Sequence, residues 1–385
     1  MRSRSSWSAE DLAEVRRSFA RFAEEYANLP LYRAICLGMA DDPEPAALLL
    51  HAQPGQARPV LFLAALHDLV LRRPDLPAAR WYPSVVGPDA VPGGDPWPDV
   101  LATIQAHREE LRETIATRRT QTNEVNRAVY VATVLALASA DVPARPTILV
   151  ELGASAGLLL AVDRYRIELH RRGVALVVGD PASPVRCRGE DRSPTPLPDL
   201  VLPPIRGRAG LDLAPVDLDD EASVRWLEAC LWPDVPGRVE RFRAAITLLR
   251  ENRPALHAGD MAGDLDGTID ITLAQAGQAG RSGIHLIVFS SWALTYVERR
   301  RRTDIAEVLA DVAQTLGAVS WVTAEPVGCA PGIPVPNRMA DGMDSTVLGG
   351  RRWRHGLEMP AEAWGTCHPH GEWIALSESA LGGIR

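Results

Sequence analysis

Thr147-Ile-Leu-Val-Glu-Leu-Gly-Ala-Ser-Ala-Gly157 is the stretch that decides the fold. An apolar run ends on an acid, Glu151, and a turn of small residues from Gly153 to Gly157 follows. The order predicts a buried strand over 147–151, a tight turn at its carboxyl end, and a helix over 158–171. Downstream, 174–178, 285–289, 319–323 and 373–376 read as strands, and 222–231, 239–250 and 303–316 as helices. Residues 181–215 are proline-rich and read as irregular. Strands spaced by helices imply a mainly parallel sheet covered on both faces, hence a doubly wound α/β domain over 146–385.

Residues 1–145 read as a helical domain. Ser8-Ala-Glu-Asp11 is a cap with early acids, and an amphipathic stretch continues to about Ala27. Segments 31–39, 44–51 and 60–72 have helical length, and a long helix is expected from Trp97 to Ala140. Asp41-Asp42-Pro43, Gln53-Pro54-Gly55 and the stretch 84–98 supply the turns between them. The boundary falls at 141–146, where Pro143 and Pro146 interrupt the pattern.

Composition narrows the function. A length of 385 residues suits two domains, and a net charge of −8 argues against a dedicated nucleic-acid binder. No apolar run is long enough for a membrane helix, and no apolar core follows the charges of Met1–Trp7. Five scattered cysteines without a CxxC pair point to a reducing cytoplasm. All 41 basic residues are arginine. A Walker lysine, a Schiff-base lysine and a lysine nucleophile are therefore excluded, and anions must be held by arginine forks, histidine or backbone amides.

The candidate cofactor residues are Glu151, Gly153, Ser155, Gly157, Asp180 and Asp260. Small residues let backbone approach a ligand at a strand's carboxyl end, and Asp180, after the second strand, could accept from ribose hydroxyls. The alternative is a turn that is small only for close packing. Its spacing does not match GxGxxG, which disfavours a nicotinamide site. A second candidate set is Arg119, Asn123, Glu124 and Arg127, in the polar run Thr117 to Arg127. At helical spacing Arg119, Asn123 and Arg127 share one side, forming either a solvated face or a polar site in an interdomain cleft. Asp41 and Asp42 are either a helix cap before Pro43 or paired carboxylates in which one acts as base. His368 and His370 find no further ligands for a metal, so no metal site is expected. Cys36 and Cys367 have no base beside them. Trp226, Trp232 and Trp292 read as core, with Trp292 placed to line a pocket.

Thr117–Val125, Val150–Gly157, Asp163-Arg-Tyr165, Gly179–Pro184, Trp226–Asp234 and His368-Pro-His-Gly371 occur in that order. Together they resemble a bacterial family of unknown function with a methyltransferase-like fold, over nearly the whole chain. The resemblance implies a Rossmann-like class I methyltransferase domain and a pocket for S-adenosylmethionine. Within that family the chain resembles the larger subunit of the aziridine-forming enzymes of azinomycin and vazabitide biosynthesis. These eliminate sulfate with the aid of a small partner subunit, and in that case no cofactor is required. Leu158 stands where the family pattern has asparagine, and Ser290 where it has histidine, which marks a specialised member.

Three expectations follow. One is a biosynthetic enzyme in which a carboxylate deprotonates an amine that displaces a neighbouring sulfate. Another is an S-adenosylmethionine-dependent methyltransferase acting on a small molecule. The third is a non-catalytic subunit that binds a partner or carrier protein. All three are read without a nucleic-acid or membrane partner.

Overall fold

The computed structural model describes residues 7–87, 90, 93–142, 145–277, 283–336 and 346–382. Most of the N-terminal stretch Met1–Trp7 and the Pro143–Ala144 part of the expected boundary lie outside them. The protein is a mixed α/β chain with many helices and one large sheet. It divides into two compact units, 1–123 with 218–240, and 124–217 with 241–385. The division is thus discontinuous, and the helix after residue 127 goes with the sheet.

The first unit holds α1 (Ala9–Glu25), α2 (Pro30–Asp41), α3 (Pro43–Ala46), α4 (Pro59–Arg72), α5 (Pro83–Val86), α6 (Trp97–Ala106) and α7 (Arg108–Thr117). The second begins with α8 (Ala128–Ser139), and α9 (Glu221–Ala229) belongs again to the first. α10 (Arg238–Glu251), α11 (Leu265–Gln275), α12 (Arg299–Ala313) and α13 (Glu378–Gly382) follow. Ser8 and Asp11 form the expected capping box on α1. The apolar faces of α1, α2, α4, α6 and α7 close over Phe19, Tyr32, Phe62 and Ile104, joined by Trp226.

The long helix expected over 97–140 is a correction. α7 ends at Thr117, residues 118–124 leave helical geometry, and a short 3-10 turn over 125–127 precedes α8. Threonine and asparagine side chains compete for backbone hydrogen bonds, so Thr120-Gln-Thr-Asn123 holds a helix poorly. The backbone bonds go elsewhere: Trp226 Nε1 donates to the Arg119 carbonyl at 2.8 Å, and Gln53 Nε2 to the Thr117 carbonyl at 3.0 Å.

The sheet contains β1 (Thr147–Leu152), β2 (Arg166–Arg171), β3 (Val174–Gly179), β4 (Arg186–Asp191), β5 (Ile205–Asp212) and β6 (Ala255–Ala258). It continues with β7 (His285–Ser291), β8 (Ala318–Pro326), β9 (Thr346–Arg354), β10 (Leu357–Glu358), β11 (Glu362–Cys367) and β12 (Trp373–Leu376). The order is β3-β2-β4-β12-β11-β9-β8-β7-β1-β5-β6, with β10 paired to β9. Five adjacent strands, β6-β5-β1-β7-β8, are parallel. The strand order reverses between β1 and β7. Ile148, Val150 and Leu152 bury one face of β1 with residues of α11 and α12, including Leu265, Ile269, Ile305 and Leu309.

The helix expected over 158–171 is a second correction. A 3-10 turn covers Leu158–Arg164, and β2 begins at Arg166. Arg172 and Gly173 then take φ of 47° and 83°, the two positive values of a tight hairpin turn, and β3 returns antiparallel to β2. The strand expected over 174–178 therefore exists, but at the sheet's edge and antiparallel. The irregular reading of 181–215 also fails, because β4 and β5 lie there. β5 is hidden by its glycines. A Cβ on Gly207 would come within 2.7 Å of Ile148, and one on Gly210 within 2.5 Å of Ala154. They are close-packing positions, not breaks.

Candidate functional site

Two motifs from distant parts of the chain meet at the sheet. Asn126 Nδ2 donates to the carbonyls of Arg188, His370 and Gly371 at 2.9, 3.2 and 3.1 Å, and Asn126 Oδ1 accepts from the Arg188 amide at 2.8 Å. Gly371 has φ 76°, and a Cβ there would lie 2.1 Å from the Asn126 carbonyl, so only glycine fits. Glu124 accepts from the Asn126 amide at 2.9 Å and pairs with Arg241 at 3.4 Å. This clamp positions Arg127. Its Nε donates to the Pro369 carbonyl at 3.1 Å, and its Nη1 to the Ser291 carbonyl, the last residue of β7, at 3.2 Å. Tyr130, one turn into α8, bonds the Ser291 hydroxyl at 2.8 Å. The His-Pro-His-Gly motif thus presents three backbone carbonyls to Asn126 and Arg127. Among the described residues no group of three or more His, Cys, Asp or Glu could hold a metal ion.

Arg127 is 6% exposed, and its charge reaches Glu151, Glu325, Tyr130 and Cys367. Glu151, the next-to-last residue of β1, is buried, with Oε2 lacking any hydrogen-bond partner. Burial pushes its carboxyl well above the usual range, the Asp212 carboxylate adds to this, and Arg127 opposes it. Gly153, Ser155 and Gly157 all take positive φ, of 75°, 49° and 69°. Asp212 at the end of β5 holds the turn: its Oδ2 accepts from the Ser155 amide at 2.8 Å, and its Oδ1 from the Ala214 amide at 2.9 Å. A Cβ on Gly153 would meet Ala293 at 2.6 Å, and one on Gly157 would meet Leu256 and Pro254 at 3.0 Å. Both glycines therefore serve close packing as well as conformation.

Asp180 is exposed at the end of edge strand β3 and accepts from the Ala182 amide. It does not follow the strand beside β1, because the hairpin moved its strand to the edge. Asp212 occupies that position, and the acid closing Ala209-Gly-Leu-Asp212 was the available signal. Asp260, after β6, accepts from the Ala262 and Gly263 amides and pairs with Arg301.

Glu325 was also missed, although it stands next to last in an apolar strand as Glu151 does. It is 1% exposed on β8, and its Oε1 accepts from the Ala293 and Leu294 amides at 3.1 and 3.2 Å. Oε2 and the hydroxyl of buried Ser290 on β7 have no partner beyond one another. Trp292 beside them has φ 58°, an uncommon value for a bulky residue, and its Nε1 donates to Thr346 Oγ1 at 2.7 Å. Burial pushes the Glu325 carboxyl up to about 7, against the pull of the two amides, the Ser290 hydroxyl and Arg127. A carboxyl with a raised folded-state pKa holds its proton more tightly when folded. Its stabilising proton is fully present below about pH 4.5 and is lost as pH rises through 7. Between pH 5 and pH 8 the Glu325→Gln variant should gain roughly 3 kcal/mol relative to the parent in urea unfolding. A constant difference would show that Glu325 does not titrate in this window.

A family described as "Uncharacterized protein conserved in bacteria (DUF2332)" matches residues 16–375. The chain belongs to that family. No curated protein matches it. The family match spans both the Asn126–Arg127 clamp and the glycine turn.

The remaining candidates in this family member are spread more widely. Arg119 and Asn123 fall in the first unit, Glu124 and Arg127 in the second. Without a helix over 118–124 they share no helical face. Arg119 is exposed and donates from Nε to Gln53 Oε1 at 2.8 Å, whereas Asn123, Glu124 and Arg127 are buried. Asp42 caps α3 by accepting from the Glu44 amide at 2.9 Å, and Asp41 is exposed at the last residue of α2. Burial pushes the thiols of Cys36 and Cys367 up, Cys36 far out of the range of a reactive thiolate. No helix among the described residues is long and apolar enough to cross a membrane.

Proposed function

We propose that the second unit is a Rossmann-like domain of the class I methyltransferase type, which binds S-adenosylmethionine and methylates a small molecule. In chain order the parallel strands are β1, β5, β6, β7 and β8, and their spatial order is 3-2-1-4-5. Ligands of doubly wound sheets sit outside the carboxyl ends of the strands, where the order reverses. The observation that carries the reading is the coincidence, at that reversal, of the Gly153–Gly157 turn with Asp212 on the neighbouring strand end. The unpartnered Glu151 Oε2 suits a ligand that brings hydrogen-bond donors.

In this reading Asp212 accepts from the ribose hydroxyls, and Glu151 accepts from a donor on the amino-acid portion. The bound cofactor supplies an electrophilic methyl carbon on a sulfonium. Arg127, Tyr130 and Ser291 hold the end of β7 rigid beside it. Ring closure with loss of sulfate is less favoured, because Asp42, offered as half of its base, is engaged as the cap of α3.

Calorimetric titration with S-adenosylhomocysteine tests the proposal. The parent protein should bind, and Asp212→Asn should bind on the order of 10–100-fold more weakly at an unchanged fold, as expected for loss of charge-assisted hydrogen bonds. A folded parent protein that gives no binding overturns it. Gly153→Arg would be uninformative, since its side chain would strike Ala293 and disturb packing first.

A further inference from the structure

We propose that the carboxyl ends of β7 and β8 receive the methyl acceptor as an amine, with Glu325 taking its proton and Ser290 sharing its hydrogen bonds. This rests on the methyltransferase reading above. Ser290 pairs in register with Thr323, two residues before Glu325, so Ser290 and Glu325 share one face of the sheet. Both are 1% exposed; the Ser290 hydroxyl lies close enough to pull the Glu325 carboxyl down, and neither Ser290 Oγ nor Glu325 Oε2 has a partner beyond the other. The other Glu325 oxygen is fixed by two backbone amides, so the free oxygen is held in place.

Buried polar atoms without partners weaken a fold unless something else satisfies them. A carboxylate oxygen accepts only, so the missing group is a donor. An alcohol brings one hydrogen and no charge to a pair that already shares the Ser290 hydrogen, and a carboxylate or phenolate acceptor would set like charge against Glu325. An ammonium brings two or three N–H donors together with the opposite charge. Part-exposed Ser291 and Trp292 lie next to Ser290 in the chain, which makes their turn the side from which an amine reaches the pair.

Glu325 Oε2 removes one proton from the ammonium. With the cofactor bound, the nitrogen lone pair freed by Glu325 would take up the sulfonium methyl, the S–C electron pair staying on sulfur. The burial that raises the Glu325 carboxyl toward neutrality gives it the proton affinity of a working base.

The test compares two probes on the full chain by calorimetry. S-adenosylhomocysteine carries no group beyond sulfur, whereas its analogue sinefungin carries a primary ammonium where the transferred methyl would sit. The parent should prefer sinefungin by about tenfold or more, in keeping with a charge-assisted hydrogen bond. Glu325→Gln should bring the two affinities together while leaving that for S-adenosylhomocysteine unchanged, and Ser290→Ala should lower the preference severalfold. Equal affinities in the parent, or a preference that survives Glu325→Gln, would overturn the proposal. If Glu325→Gln does not fold, Ser290→Ala decides, an undiminished preference counting against it. Absence of S-adenosylhomocysteine binding to the folded parent would instead remove the methyltransferase reading on which it rests.

Discussion

Arg127→Ala should destabilise the protein by roughly 3–5 kcal/mol and abolish ligand binding at the β1–β7 reversal. Its guanidinium is buried and bonds two carbonyls, of Pro369 and Ser291. Truncation leaves both without that donor and opens a space the size of the side chain. It also takes away the cation that opposes the rise of Glu151 and Glu325, so both acids hold their protons more firmly. Arg127→Lys should recover little, because a point charge cannot span the two carbonyls as a planar fork does. Arg119→Ala is the natural control. Arg119 is exposed and makes one side-chain bond, to Gln53, so its loss should cost no more than about 0.5 kcal/mol. Urea unfolding of the three variants checks this, and equal midpoints for Arg127→Ala and Arg119→Ala would remove Arg127 from the centre of the account.

Asn126→Ala should cost a comparable 3–5 kcal/mol while removing no charge. One amide side chain serves three carbonyls and one amide, from Arg188, His370 and Gly371. All four backbone groups lose that partner together. Asn126→Asp should be as damaging, since it turns an acceptor toward three carbonyls. A loss below about 1 kcal/mol, measured by urea unfolding at pH 7, would mean that water replaces the side chain and that the clamp is not structural.

Both residues lie in a stretch whose importance was readable but whose geometry was not. Thr117–Arg127 stands out as polar, yet the helical spacing assigned to it came from extending α7 through residues that favour side-chain-to-backbone bonds. The partners of Asn126 lie 62 to 245 residues away and those of Arg127 lie 164 and 242 residues away, and no local pattern reveals them. Where local signals agreed, they held: the capping box at Ser8, the apolar strand expected over 147–151, and the short strand over 373–376. They misled where two signals competed. Leu158 to Arg171 carries apolar residues at helical spacing, but Arg172-Gly173 is also a hairpin turn, and pairing with β4 decided for strand. That one choice moved the ribose-binding candidate from Asp180 to Asp212. Glu325 shows a different limit. An acid at the end of an apolar strand was visible, but only burial and the unfilled Oε2 distinguish it from a surface residue.

A crystal structure grown with saturating S-adenosylhomocysteine tests the central claim most directly. The nucleoside should lie outside the carboxyl ends of β1 and β5, with its ribose hydroxyls within hydrogen-bond distance of Asp212. A nucleoside bound elsewhere on the chain, with Asp212 still engaged only by Ser155 and Ala214, would contradict it.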